Sequence, residues 1–150
     1  MKYLTMECMY GDNEEEWEEA CLNNDREYQA IKHLLSPEFV FLHDEVGFHD
    51  AIIKKITMSL GDTISGHTVI IDLEDPEGPP VIYQLTYKHV FDFQINRVDP
   101  LETFRYVDMN VLANEIFREE DTFTHEMLCD NYTFFLRFRK VEVKRLEEKG

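Results

Sequence analysis

The chain has 150 residues, of which 43% are hydrophobic and 13% aromatic, and its formal net charge is −16 with a pI near 4.6. That length suits one domain with a real core, and the aromatic content is not that of a disordered chain. The acidity repels nucleic-acid phosphates and anionic lipid, no stretch is long enough to span a bilayer, and the partner such a surface attracts is a basic protein.

Cys8, Cys21 and Cys129 form an odd set with no CxxC or Cys/His finger spacing. No disulfide framework or zinc finger is expected, and a reducing compartment fits. The start MKYLTMECMYGD lacks the apolar segment and cleavage site of a secretory signal, so the cytoplasm is the expected location.

In chain order, residues 2–9 read as a short first strand. Gly11-Asp12-Asn13 then marks a turn, and Asn13 with Glu16 has the spacing of a helix capping box. Trp17, Ala20, Cys21, Asn24, Tyr28, Ile31 and Leu35 fall on one helical stripe, with Glu15, Glu18, Glu19, Gln29 and His33 opposite. Asn23-Asn24 weakens the middle of this helix, where a bend is expected. Ser36-Pro37 ends it, or Ser36 caps a short second helix with Pro37 at its first position.

After Gly47 the period becomes two. Ile52, Ile56, Met58 and Leu60 share one face of a strand in which Lys54 is the odd member; Val69, Ile71 and Leu73 follow in a second strand. Residues 75–80 form a turn-rich loop. The clearest alternation runs through Val81, Tyr83, Leu85, Tyr87, His89, Phe91, Phe93 and Ile95. It exceeds an ordinary strand length, so a bulge or bend is expected near Lys88-His89. Residues 97–110 read as a loop. Val111 to Phe117 is a strand or a short helix, the strand being preferred, and Phe123 to Cys129 is a strand. Asp130-Asn131 suits a two-residue hairpin turn because both residues tolerate positive φ. Tyr132 to Phe138 returns as a strand that could run on to Val143, and 146–150 is a polar tail.

The sum is one α+β domain over residues 1–150, an N-terminal amphipathic helix packed on a mostly antiparallel sheet of five to seven strands. Charge along it is uneven. Residues 7–27 carry nine acids against one base, Arg26, a net of −8; residues 136–149 carry six bases against three acids, a net of +3. Partial neutralisation of one end by the other is the simplest expectation.

Two His-Asp pairs, His43-Asp44 and His49-Asp50, are the residues most suggestive of chemistry, since imidazole and carboxylate together ligate divalent ions. His125 and Glu115 would extend such a cluster if their strands paired suitably. Further ligands at metal-binding spacings are lacking, and Asp at a strand opening commonly satisfies turn amides. No HExxH, P-loop or nucleophile-elbow motif is present. On the helix, Glu14-Glu18 and Glu15-Glu19 are mutually repulsive i,i+4 pairs, while the helix dipole favours them by a similar few tenths of a kcal/mol. Folding alone neither requires nor forbids this run.

Phe48-His49-Asp50-Ala51 followed by Ile53 resembles the F/L-H-D-x-x-I opening of several uncharacterised bacterial small-protein families. Tyr83-x-Leu85-x-Tyr87-x-x-Val90-x-x-Phe93 is similar to a later strand in them, as are Glu115-Ile116, His125-Glu126-Met127-Leu128 and Tyr132-x-Phe134-x-Leu136-x-Phe138. The resemblance spans residues 48–145 and implies an antiparallel sheet opened at Phe48. Some of those families are grouped with toxin-immunity proteins, which act by binding, and the resemblance assigns no catalytic residue.

The expectation is therefore a non-enzymatic binding module of immunity or regulatory type, without metal or cofactor. Glu15, Glu18 and Glu19 would meet a basic protein partner. The alternative is a metal-dependent hydrolase built on His49, Asp50, Glu115 and His125, and a third idea is an acidic mimic of nucleic acid.

Overall fold

The computed structural model describes residues 2–5, 9, 11–62, 64–75, 77, 80–97, 110–130 and 132–146. It is α+β: one long N-terminal helix, then two antiparallel sheets of four strands each. The expected count of five to seven strands in one sheet is corrected to eight in two. Helix α1 spans Glu14–Ile31, a 3-10 turn covers Lys32–Leu34, helix α2 spans Pro37–Phe41, and a π-turn covers Leu42–Val46. The strands are β1 (Ile52–Ser59), β2 (His67–Asp75), β3 (Val81–Val90), β4 (Asp92–Arg97), β5 (Val111–Glu119), β6 (Thr122–Cys129), β7 (Tyr132–Phe138) and β8 (Lys140–Leu146).

The first sheet has the order β1-β2-β3-β8 and the second β4-β7-β6-β5. The strand runs 81–97 and 132–146 each cross from one sheet to the other, and they remain paired as they cross. Ile82 faces Leu146 and Lys88 faces Lys140 in the first sheet; Asp92 faces Arg137 and Arg97 faces Tyr132 in the second. At the corner the Phe91 N–H donates to the Arg137 carbonyl at 2.9 Å and the Arg139 N–H to the Lys88 carbonyl at 3.2 Å. The two outer strands β1 and β5 meet at their starts. Ile52 bridges Asn110, the Asp50 N–H donates to the Val111 carbonyl and the Val111 N–H to the Ala51 carbonyl, each at 2.8 Å. The sheets thus curl into an almost closed ring of strands.

The anticipated bend falls at His89, whose φ is +56°, just before β3 gives way to β4. The β1–β2 loop braces this corner: the His89 ring Nδ1 donates to the Ser65 carbonyl at 2.8 Å. A Cβ on Gly66 would stand only 2.9 Å from backbone atoms of His89 and Val90, so only glycine permits the approach.

Bulges explain two irregular alternations. The register slips between Ile53 and Lys55, so Ile53 faces Leu73 and Ile56 faces Ile71, and Lys54 is the extra residue. Ile53, rather than Ile52, therefore enters the core. A second slip between Val111 and Ala113 sends Val111 into the core and Ala113 to the opposite face of the second sheet.

That opposite face receives α1. Ala20, Ala113, Leu128 and Leu4 pack together there with Trp17 and Cys21 against them. The helix does not bend at Asn23-Asn24; it runs unbroken from Glu14 to Ile31. Asn24 instead donates its side-chain amide to the Asn114 carbonyl at 3.2 Å. Asn13 caps the first turn by accepting from the Glu16 N–H at 3.2 Å. Ser36 does start a second helix: its hydroxyl accepts from the Phe39 N–H and donates to the Val141 carbonyl, and Pro37 occupies the first turn. From α2 and the segment after it, Phe39, Leu42 and Phe48 enter the main core beside Tyr87, Phe134, Leu136 and Phe138.

Other expectations are corrected or fall outside the described residues. Lys2 to Thr5 are not in a strand, and residues 6–8, with Cys8, lie outside the described set. Of the expected loop 97–110, residues 98–109 lie outside it, as do Asn131 and residues 147–150. Asp130 does not adopt positive φ; Glu120, in the β5–β6 turn, does, at +54°. Cys129 is buried, and burial pushes its thiol up to about 12. The two ends of the chain do not neutralise each other among the described residues. Arg137 pairs with Glu119, Arg139 with Asp121 and Lys140 with Glu142, none with α1.

The backbone at His89 yields a direct expectation. Asparagine tolerates the left-handed region, whereas a β-branched side chain does not. His89→Asn should keep the urea midpoint close to wild type, and His89→Val should cost about 2 kcal/mol. Equal stability of the two variants would remove strain at the corner as the cause.

Candidate functional site

Helix α1 displays one acidic face. With Trp17, Ala20, Cys21 and Tyr28 turned toward the protein, Glu14, Glu15, Glu16, Glu18 and Glu19 are all exposed. The i+3/i+4 geometry that aligns the apolar stripe turns Glu15 and Glu18 away from the sheet and sets Glu16 and Glu19 on the flank nearer Lys2 and Tyr3. Nearby cations are few: Lys2, with the side chain 59% exposed, lies 3.4 Å from Glu27. Glu19 and Glu16 border a shallow depression with Lys2, Tyr3 and Asn23.

The four residues of the alternative hydrolase cluster occupy three separate environments. His49 and Asp50 are exposed, with 72% and 65% of their side chains open to solvent. The His49 Nδ1 donates to the Leu112 carbonyl at 3.0 Å, and Asp50, at φ +66°, turns the chain into β1. Both therefore fasten the β1–β5 junction. Glu115 and His125 are each buried, but on opposite faces of one sheet. Ile116 is the residue opposite His125, and Glu115 is opposite Glu126. Among the described residues, no three His, Cys, Asp or Glu side chains are grouped to hold one metal ion.

Glu115 serves the chain's own start. Its carboxylate accepts from the Lys2 N–H at 2.7 Å, the Tyr3 N–H at 2.6 Å and the Leu4 N–H. Three consecutive amides of a non-strand segment thus find their acceptor in one side chain, beside α1. Charge-assisted bonds of this kind are among the stronger ones a protein makes.

His125 is completely buried. Its Nδ1 lies 2.8 Å from the Tyr87 hydroxyl and its Nε2 3.2 Å from Asn114 Oδ1. An amide oxygen can only accept, so Nε2 carries the proton and Nδ1 accepts from the tyrosine. The ring is neutral and fully satisfied, with Phe39 and Phe48 edge-on to it at 5.8 and 5.3 Å between centroids. The same two phenylalanines lie within 6.3 and 5.9 Å of His43, which stacks on Tyr28 at 3.8 Å and meets Asp44 at 3.1 Å. Burial pulls His125 down to about 3, with His43 adding to the effect, and lowers His43 as well despite Asp44. A sequence signal for this node existed only in the shared inward face of Tyr87 and His125.

These histidines give the fold an acid limit. Below the ordinary imidazole value of 6.5 the unfolded chain takes up protons that the folded state refuses, so stability is intact above it and falls as pH drops toward 3. The His125 ring contributes a slope of about 1 kcal/mol per pH unit in that window. His125→Gln, which keeps an acceptor and a donor, should flatten the fall in urea midpoint between about pH 7 and about pH 5; an unchanged slope would place the acid sensitivity elsewhere. Independently, Glu115→Gln should cost about 2 kcal/mol and speed hydrogen exchange at the Tyr3 and Leu4 amides. Unaltered exchange there would mean that the carboxylate does not hold the segment.

No helix among the described residues is long and apolar enough to cross a membrane. A scan against protein-family models and a search of curated proteins both returned no match to this chain.

Proposed function

We propose that the protein is a non-enzymatic binding module, of immunity or regulatory type, that meets a basic protein partner through Glu15, Glu18 and Glu19. The observation that carries this reading is the pinned acidic face of α1. A helix fastened by Trp17, Ala20 and Asn24 presents Glu15, Glu18 and Glu19 in fixed positions, and among the described residues none of the three is in an ion pair. Long-range attraction from such a face accelerates encounter with a cationic surface and weakens with salt. It contributes little to folding, because exposed charges are worth less than about 1 kcal/mol each.

The test separates these two roles. The triple variant Glu15→Gln, Glu18→Gln, Glu19→Gln should melt within a few degrees of wild type. Against a partner recovered by cross-linking, its association rate should drop about tenfold or more at low salt. The wild-type rate should decline steeply as salt is raised and the variant's far less. Equal association rates at every salt concentration would eliminate this face as the contact.

A further inference from the structure

Among the described residues the first sheet ends at β8, with no strand beyond it. Val141 gives its carbonyl to the Ser36 hydroxyl at 3.0 Å, where the start of α2 abuts the strand. Successive residues of an antiparallel strand point their backbone groups to alternate sides, so Val143 and Arg145 turn an N–H and a C=O each to the same side as Val141. No further strand pairs there among the described residues.

Two grooves flank this edge, one on each face of the sheet. The first, of about 300 Å3, is lined by Pro37, Phe41, Tyr83 and Val143 with Arg145 at its border. Phe41 leaves 57% of its surface exposed into this region. The second, of about 390 Å3, is polar and lined by Gln84, Thr86, Glu142 and Lys144. Glu38 and Val143 border both, so the grooves meet at the edge itself. An added strand would send alternate side chains into the one and the other.

Charge selects the occupant. Glu142 is already neutralised by Lys88 at 3.1 Å and Lys140 at 3.2 Å. Lys144 and Arg145 have no acidic partner among the described residues, and they stand out on a chain of net charge −16. Lysine on an exposed edge is a common guard against unwanted pairing, but a guard has no need of an apolar groove beside it.

We propose that the β8 edge is a docking site for a short extended peptide of a partner protein, which adds as a further strand. Its apolar side chains fill the groove of Phe41 and Tyr83 on one face of the sheet, and its acidic side chains meet Lys144 on the other. This surface is distinct from the acidic face of α1 and opposite to it in charge, and it does not rest on the role proposed for that face.

The probe is a fluorescently labelled, end-blocked pentapeptide alternating glutamate with phenylalanine and valine, titrated into the full chain. Its counterpart with lysine in place of glutamate is the control. The acidic peptide should bind saturably and at least about tenfold more tightly than the basic one, and should slow hydrogen exchange at the Val143 and Arg145 amides. Lys144→Glu with Arg145→Glu should abolish binding, and Phe41→Ser should weaken it, both with melting temperatures near wild type. Equal affinity for the two peptides, or binding without protection of those amides, would overturn the proposal. So would a dimer of the chain with the same amides protected before peptide is added, because the occupant would then be a second copy.

Discussion

Two strand runs that turn a corner together hold this fold in shape. Residues 81–97 and 132–146 stay hydrogen-bonded to each other as both leave one sheet and join the other. Each sheet owes half its strands to that shared ribbon, so neither can shift without bending the other. The left-handed backbone of His89 sets the corner on one run, and Arg139, the residue between β7 and β8, lets the other follow it. Everything functional is placed relative to this ribbon. The helix lies outside the second sheet, and the β8 edge is the far end of the first.

Inside the curl one polar chain is fully answered. Tyr87, His125 and Asn114 form a chain with defined donors and acceptors, and the aromatic rings of Phe39 and Phe48 exclude water around it. A buried imidazole with both nitrogens engaged selects one arrangement of three strands, since a slip of one residue would leave a tyrosine hydroxyl and a ring nitrogen unpaired in an apolar interior. The cost is confined to acid conditions, where the neutral ring resists protonation.

Periodicity made much of this legible. The stripe of Trp17, Ala20 and Tyr28 predicted which side of α1 would be buried, and hence that Glu15, Glu18 and Glu19 would be exposed. The alternation from Val81 to Ile95, too long for one strand, predicted its own bend. What periodicity could not carry was partnership. The extra strands arise because each long run divides between two sheets, a property of the pair and not of either run. The bulges that place Ile53 and Val111 inward depend on the strand opposite each of them. The sequence could join Glu115 and His125 only as one conditional cluster; it could not say that Glu115 lies under the chain's first residues and His125 in the centre of the core. His49 and Asp50 looked like chemistry because of their type, whereas their bonds are those of a junction between strands.

The anchoring of the N-terminal segment also has a consequence for the order in which the molecule is made. Lys2 is held by a residue 113 positions later, and Asn24 by one 90 positions later. During synthesis the helix and the segment before it leave the ribosome long before β5 and β6 exist to receive them. For most of translation, the helix's apolar stripe must therefore remain either solvated or in transient company. Dense negative charge on the opposite side would keep that waiting helix dispersed, a service the carboxylates of α1 perform before any partner is met.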